Sequence, residues 1–178
     1  MTIYIGLLRG INVGGHHKIK MADLKNLLEM MGLQKVKTYI QSGNVLFESE
    51  EDAEQLSKRI EDELNNTFGF PVPVVLRTLE KLQQVIEDCP FGTDSLNEGE
   101  SVQVAFLRGE PSKEGIDHMY SYNHELEECK IIGNEVYFYF CKSIRESKLV
   151  TQLPKLRVPA TIRNWKTVVK LGDMSKTL

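Results

Sequence analysis

The densest chemistry in the chain lies between residues 9 and 20, in the run Arg9-Gly10-Ile11-Asn12-Val13-Gly14-Gly15-His16-His17-Lys18-Ile19-Lys20. Gly10, Gly14 and Gly15 tolerate positive φ and close backbone approach, so successive N–H groups there could cradle an anion. Arg9, Lys18 and Lys20 supply positive charge, and Asn12 offers a directional donor and acceptor. Gln41, Ser42 and Asn44, grouped around Gly43, add further hydrogen-bonding groups. Arg163 and Asn164 fall where a helix is expected to begin, and helix N-termini also favour anions. Together these residue types suit an anionic or amide-rich partner. The competing reading gives the glycines to a long strand-to-helix connection and Asn12 to backbone hydrogen bonds.

Groups that make and break bonds are sparse. The loop is neither a Walker phosphate loop nor a dinucleotide fingerprint, and no Gly-x-Ser-x-Gly nucleophile elbow occurs. His16 and His17 are adjacent and should point different ways, while His118 and His124 lack a familiar ligand spacing. Cys89, Cys129 and Cys141 are odd in number with no Cys-x-x-Cys pair, which supports neither a disulfide framework nor a zinc site. No metal, cofactor or catalytic residue is implied. Tyr137 and Tyr139 share one strand face and could stack bases, or simply pack inward.

The elements that must position these residues read as a β-α-β-β-α-β order. Ile3–Arg9 is a short apolar strand, and Met21, Leu24, Leu27, Leu28 and Met31 recur at helical spacing. Val36–Gln41 and Val45–Phe47 flank a turn and predict a hairpin. An amphipathic helix then runs to Gly69, with Asp52 near its start, and Val72, Val74 and Leu76 alternate in a strand whose prolines fit only a sheet edge. Val104–Gly109 echoes Ile5–Gly10, and a second hairpin turns at Gly133-Asn134. Ser143–Glu146 resembles a capping box whose helix should end before Pro154. Arg163–Leu171 reads as a helix with Trp165 inward, and no final strand is visible.

The expected fold class is therefore α+β, with tandem ferredoxin-like units, the second incomplete, and a C-terminal helix. The first unit with its connecting helix should occupy residues 1–90 and the second residues 101–178. In such a unit the first and second strands run parallel with the third between them. The residue 9–20 loop and the first hairpin tip should then share one end of the sheet, roughly 10 Å apart across a gap of ligand size.

The 178 residues carry a net charge of −3 that hides an uneven layout. Residues 1–37 hold six basic against two acidic residues, residues 38–141 seven against 21, and residues 142–178 nine against two. Basic ends around an acidic middle would create an anion-attracting face if the ends meet. A pI near 5.9 argues against a bulk nucleic-acid coat. With no apolar run near ~20 residues and no signal-peptide pattern, the chain is expected in the cytoplasm, as monomer or homodimer without a membrane partner.

Four stretches, Leu7–Gly15, Thr38–Val45, Ala105–Leu107 and Thr161–Trp165, resemble the bacterial family known as domain of unknown function 1697. The resemblance spans nearly the whole chain and implies the same tandem fold, but it carries no reaction. The leading expectation is a protein that binds an anionic ligand, a nucleotide or a nucleic-acid element, at the Gly-rich basic loop. The alternatives are a small enzyme on a phosphorylated or carboxylated metabolite, with His16 or His17 as base, and a dimerisation module using Tyr137 and Tyr139.

Overall fold

The fold is described by a computed structural model covering residues 1–142 and 144–178. The first six elements are β1 (Thr2–Leu8), α1 (Met21–Met30), β2 (Gln34–Tyr39), β3 (Asn44–Ser49), α2 (Ala53–Phe68) and β4 (Val74–Thr78). They build an antiparallel sheet in the order β2-β3-β1-β4, and β4 passes directly into α3 (Leu79–Glu87). The prolines before β4 accordingly sit beside an edge strand, where a missing N–H breaks no ladder.

Local chemistry sets the helix limits. The Asp52 carboxylate accepts the Gln55 N–H at the start of α2, and Gly69 ends the helix at φ 84°. The buried stripe Leu56, Ile60 and Leu64 then packs with Leu24 and Leu28 of α1 and with Tyr4, Leu8, Val45 and Phe47 of the sheet. Arg59 on α2 donates to the carbonyl of Met31 at the end of α1 and also pairs with Glu51.

The next elements repeat this order: β5 (Ser101–Leu107), α4 (Lys113–Tyr120), β6 (Glu127–Ile132) and β7 (Glu135–Phe140), then 3-10 turns at Ile144–Glu146 and Val150–Leu156, then β8 (Ala160–Asn164). The sheet order is β6-β7-β5-β8, the counterpart of the first. Equivalent hydrogen bonds recur: the Arg9 N–H reaches the Pro73 carbonyl, and the Arg108 N–H reaches that of Pro159, both at 3.0 Å. α5 (Trp165–Lys176) closes the chain.

The α+β class with two ferredoxin-like units holds; the second unit has a final strand after all, but 3-10 turns stand where its second α-helix would be. Its last strand is Ala160–Asn164, which occupies the start of what reads in sequence as a helix. Pro154 does not stop a helix either; it lies inside a 3-10 turn, and Leu153 and Leu156 of that turn are buried. The expected cap at Ser143 lies outside the described residues.

By internal contacts, Met1–Gln84 and Lys170–Leu178 form one compact unit and Val85–Val169 the other. No helix among the described residues is long and apolar enough to cross a membrane.

Candidate functional site

Because β3 lies between β1 and β2, the exit of β1 and the β2–β3 turn share one end of the first sheet. The expected gap between them is closed. The Leu8 N–H donates to the Gly43 carbonyl at 2.8 Å, and Asn12 Nδ2 donates to the Gln41 carbonyl at 2.7 Å. Direct bonding replaces a separation of two strand spacings because the loop folds over the turn as it leaves the strand.

The loop itself is a small hairpin. The His16 N–H donates to the Val13 carbonyl at 3.0 Å, and the Asn12 N–H to that of His17 at 3.1 Å. Gly14 and Gly15 occupy the two central turn positions at φ 58° and 76°, the pattern of a type I′ turn. At the base, Asn12 Nδ2 also donates to the Ile19 carbonyl at 3.0 Å, and its Oδ1 accepts the Ile19 N–H at 2.9 Å. His17 stacks on Phe70 with ring centroids 4.2 Å apart.

A cleft of about 520 Å³ opens between the returning arm of this loop, the start of α1, the β2–β3 turn and the end of α2. Its apolar wall is Ile19, Met21 and Phe68; Lys18, Lys20, Asp23 and Gln41 supply the polar groups. Lys20 is the N-cap of α1 and makes no side-chain cap bond. The cleft thus adjoins a helix end whose first-turn N–H groups carry partial positive charge. Asp23 offsets part of the charge of the two lysines.

Several expected site residues sit elsewhere. Arg9 is exposed but does not line the cleft, and Gly14 is at the hairpin tip. Ser42 is exposed, and its Oγ accepts from Asn44 Nδ2 at 2.9 Å. Asn44 is fully buried and also donates to the Tyr39 carbonyl at 2.9 Å. Asn44 thus holds the turn from a buried position. Asn12 likewise spends both side-chain atoms on backbone, as the competing reading holds. Phe68, Met21 and Asp23 were missed, since nothing in their spacing ties the end of α2 to the residue 9–20 loop.

Arg163 and Asn164 belong to the second unit. Arg163 is buried, with its guanidinium donating to the Ile162 carbonyl at 3.0 Å, and burial depresses it to about 10, still charged at neutral pH. Asn164 Oδ1 accepts the Thr167 N–H at 2.9 Å and caps α5. Trp165, expected inward, is only half-buried.

The tyrosine pair does not form a stacking platform. Tyr137 is buried and donates to the Val85 carbonyl at 2.6 Å, while half-exposed Tyr139 bonds Glu100 and lies 3.1 Å from the Cys141 thiol. That removes Tyr137 from any surface where bases or a second copy could dock. His16 and His17, the bases a catalytic reading would need, do not line the cleft.

The class these features define is a tandem ferredoxin-like α+β protein carrying a partly basic cleft at one sheet end of its first unit. The chain belongs to the family described as Protein of unknown function (DUF1697), whose model matches residues 1–137. It is similar to the conserved bacterial protein SP0830 from Streptococcus pneumoniae, with 31% identity, 98% coverage of each chain and a TM-score of 0.77. An unknown protein from Galdieria sulphuraria aligns over 92% of this chain and 98% of its own at 10% identity, with a TM-score of 0.26. No curated protein matches the chain.

Proposed function

We propose that the protein binds an anionic ligand, a nucleotide or a nucleic-acid element, in the cleft beside the Gly-rich loop. The observation that carries this reading is the pairing of Lys18 and Lys20 with the uncapped start of α1 around a space of about 520 Å³. That volume is within the range typical of small-molecule pockets, roughly 300–1,000 Å³. Lys18 and Lys20 attract the anion, the helix start offers N–H donors, and Gln41 orients the ligand from the opposite rim. The Asn12 clasp keeps the two rims together so that little ordering is left to the moment of binding.

The site differs from the sequence expectation in its residues. Arg9, Ser42, Asn44, Arg163 and Asn164 drop out of the binding set, while Lys18, Lys20 and Gln41 stay. We read the repeat of strand order and hydrogen bonds in the two units as an internal duplication, with the cleft belonging to the first.

Titration of phosphate esters into wild type and a Lys18→Ala/Lys20→Ala variant tests the reading. Binding should weaken by about tenfold or more in the variant and fall steeply between 50 and about 300 mM salt. Equal affinity in the two proteins, or affinity indifferent to salt, would sink it.

A further inference from the structure

The first unit carries a longer connection at its cleft than the topology requires. Both units anchor the outgoing strand alike: the Leu8 and Leu107 N–H groups reach the Gly43 and Asn134 carbonyls, and the Arg9 and Arg108 N–H groups reach those of Pro73 and Pro159. From that shared anchor the second unit enters its helix after five residues, 108–112, whereas the first takes twelve, 9–20. The longer connection is rooted in the core through buried Ile11 and Ile19, and its returning arm forms one side of the cleft. The end of α2 adds an aromatic wall. Leu56, Ile60 and Leu64 are fully buried, and Phe68, four residues further on, continues their stripe. There the cover runs out: Phe68 is only half-buried and lines the cleft, as does half-buried Met21 at the start of α1.

Resting on the anion-binding reading above, we propose that the cleft takes a nucleoside monophosphate, free or at the 5′ end of a strand, with its base on the Phe68 ring and its phosphate at Lys18 and Lys20. Inorganic phosphate, the size of a few waters at about 30 Å³ each, would fill little of a cleft of about 520 Å³ and leave its apolar wall wet. Every base has a flat π-face that stacks on an aromatic side chain, and covering Phe68 and Met21 removes their apolar area from water. The charge balance selects the monophosphate: two lysines against Asp23 match one phosphate ester better than a triphosphate chain. The Asp23 carboxylate accepts from ribose hydroxyls, and the Gln41 amide has both a donor and an acceptor for a base edge.

The test compares AMP with ribose 5-phosphate, which has the same phosphate and sugar but no base. By isothermal titration, wild type should bind AMP roughly tenfold or more tightly, the scale of one base stacked on an aromatic side chain. Phe68→Leu keeps an apolar side chain but removes the ring, so the ratio should fall toward one with ribose 5-phosphate affinity unchanged; Phe68→Tyr should retain it. Met21→Gln, which leaves the ring in place and removes apolar surface at the helix start, should lower the ratio as well and serves as the second variant should Phe68→Leu not fold. A 5′-phosphorylated oligoadenylate run beside AMP separates a strand end from a free nucleotide; whichever binds more tightly, loss of that affinity in Phe68→Leu supports the proposal. Equal wild-type affinity for ribose 5-phosphate and both adenylates, or an adenylate preference undiminished in Phe68→Leu and Met21→Gln, overturns it while phosphate binding stands. If wild type binds none of the three, the anion-binding reading itself fails.

Discussion

Asn12 shows how one side chain can decide the geometry of a site without touching a ligand. Its φ of 56° turns the chain back on itself, while Nδ2 and Oδ1 tie Ile19 and Gln41 together. Asn12→Ala should cost about 1–3 kcal/mol in urea denaturation, since it strands several backbone groups and puts Ala at positive φ. Asn12→Gly keeps the backbone comfortable and should lose less. Wild-type stability in both variants would show that the clasp is idle.

A second residue-scale expectation concerns pH. The thiol of fully buried Cys129 is pushed up to about 12, first by burial and then by Glu128. Above pH 9, the ordinary thiol value, the unfolded chain loses this proton while the native state keeps it. The native state then binds more protons, so this contribution to stability is complete below pH 9 and declines as pH rises toward about 12. Urea midpoints measured from about pH 8 to 10.5 should therefore fall more steeply for wild type than for Cys129→Ala. Parallel slopes would contradict the assignment.

Among the elements, α4 and the 3-10 turn Val150–Leu156 approach closely at one point. A Cβ at Gly115 would lie 2.3 Å from the Lys155 carbonyl oxygen and 2.7 Å from Ser112 Oγ. Gly→Ala inside an exposed helix normally stabilises by up to about 1 kcal/mol. Here the sign should reverse, with a loss of about 1–3 kcal/mol as the two segments are forced apart. A higher melting midpoint for Gly115→Ala would mean that they can separate freely. Such contacts, 40 residues apart in the chain, are invisible to periodicity.

Much else at this scale was legible. The β-α-β-β-α-β order, the Asp52 cap and the edge position of β4 follow from apolar spacing and turn residues. β8 was not legible, for two physical reasons. It has five residues, with Arg163 buried where an apolar side chain is expected, and its last residue, Asn164, caps the helix that follows without a loop. A strand that short, fused to a helix, lends its pattern to its neighbour. The cleft was half legible: topology put the loop and the turn at one sheet end, but the hydrogen bonds that close them together, and the arrival of Phe68, depend on tertiary packing.

At the scale of the molecule, chain order and compact unit do not coincide. Residues 170–178 end the sequence yet group with Met1–Gln84, and within them Leu171 and Ser175 are buried. Ending the chain after Val169 removes that buried leucine, and a large-to-small loss of this kind costs about 2–5 kcal/mol. Against a total stability of about 5–15 kcal/mol for a typical domain, such a loss is large. It should fall unevenly, because the removed segment supports one unit. Amide hydrogen exchange should show reduced protection in β1 and β3, at Ile5 and Leu46, while Val104 and Phe138 in β5 and β7 keep most of theirs. Phosphate-ester binding should weaken in parallel, since every residue lining the cleft belongs to the first unit. Protection lost first from β5 and β7, with binding intact, would mean that the terminal segment braces the other sheet, and the stability of the cleft would then have to come from residues 1–84 alone.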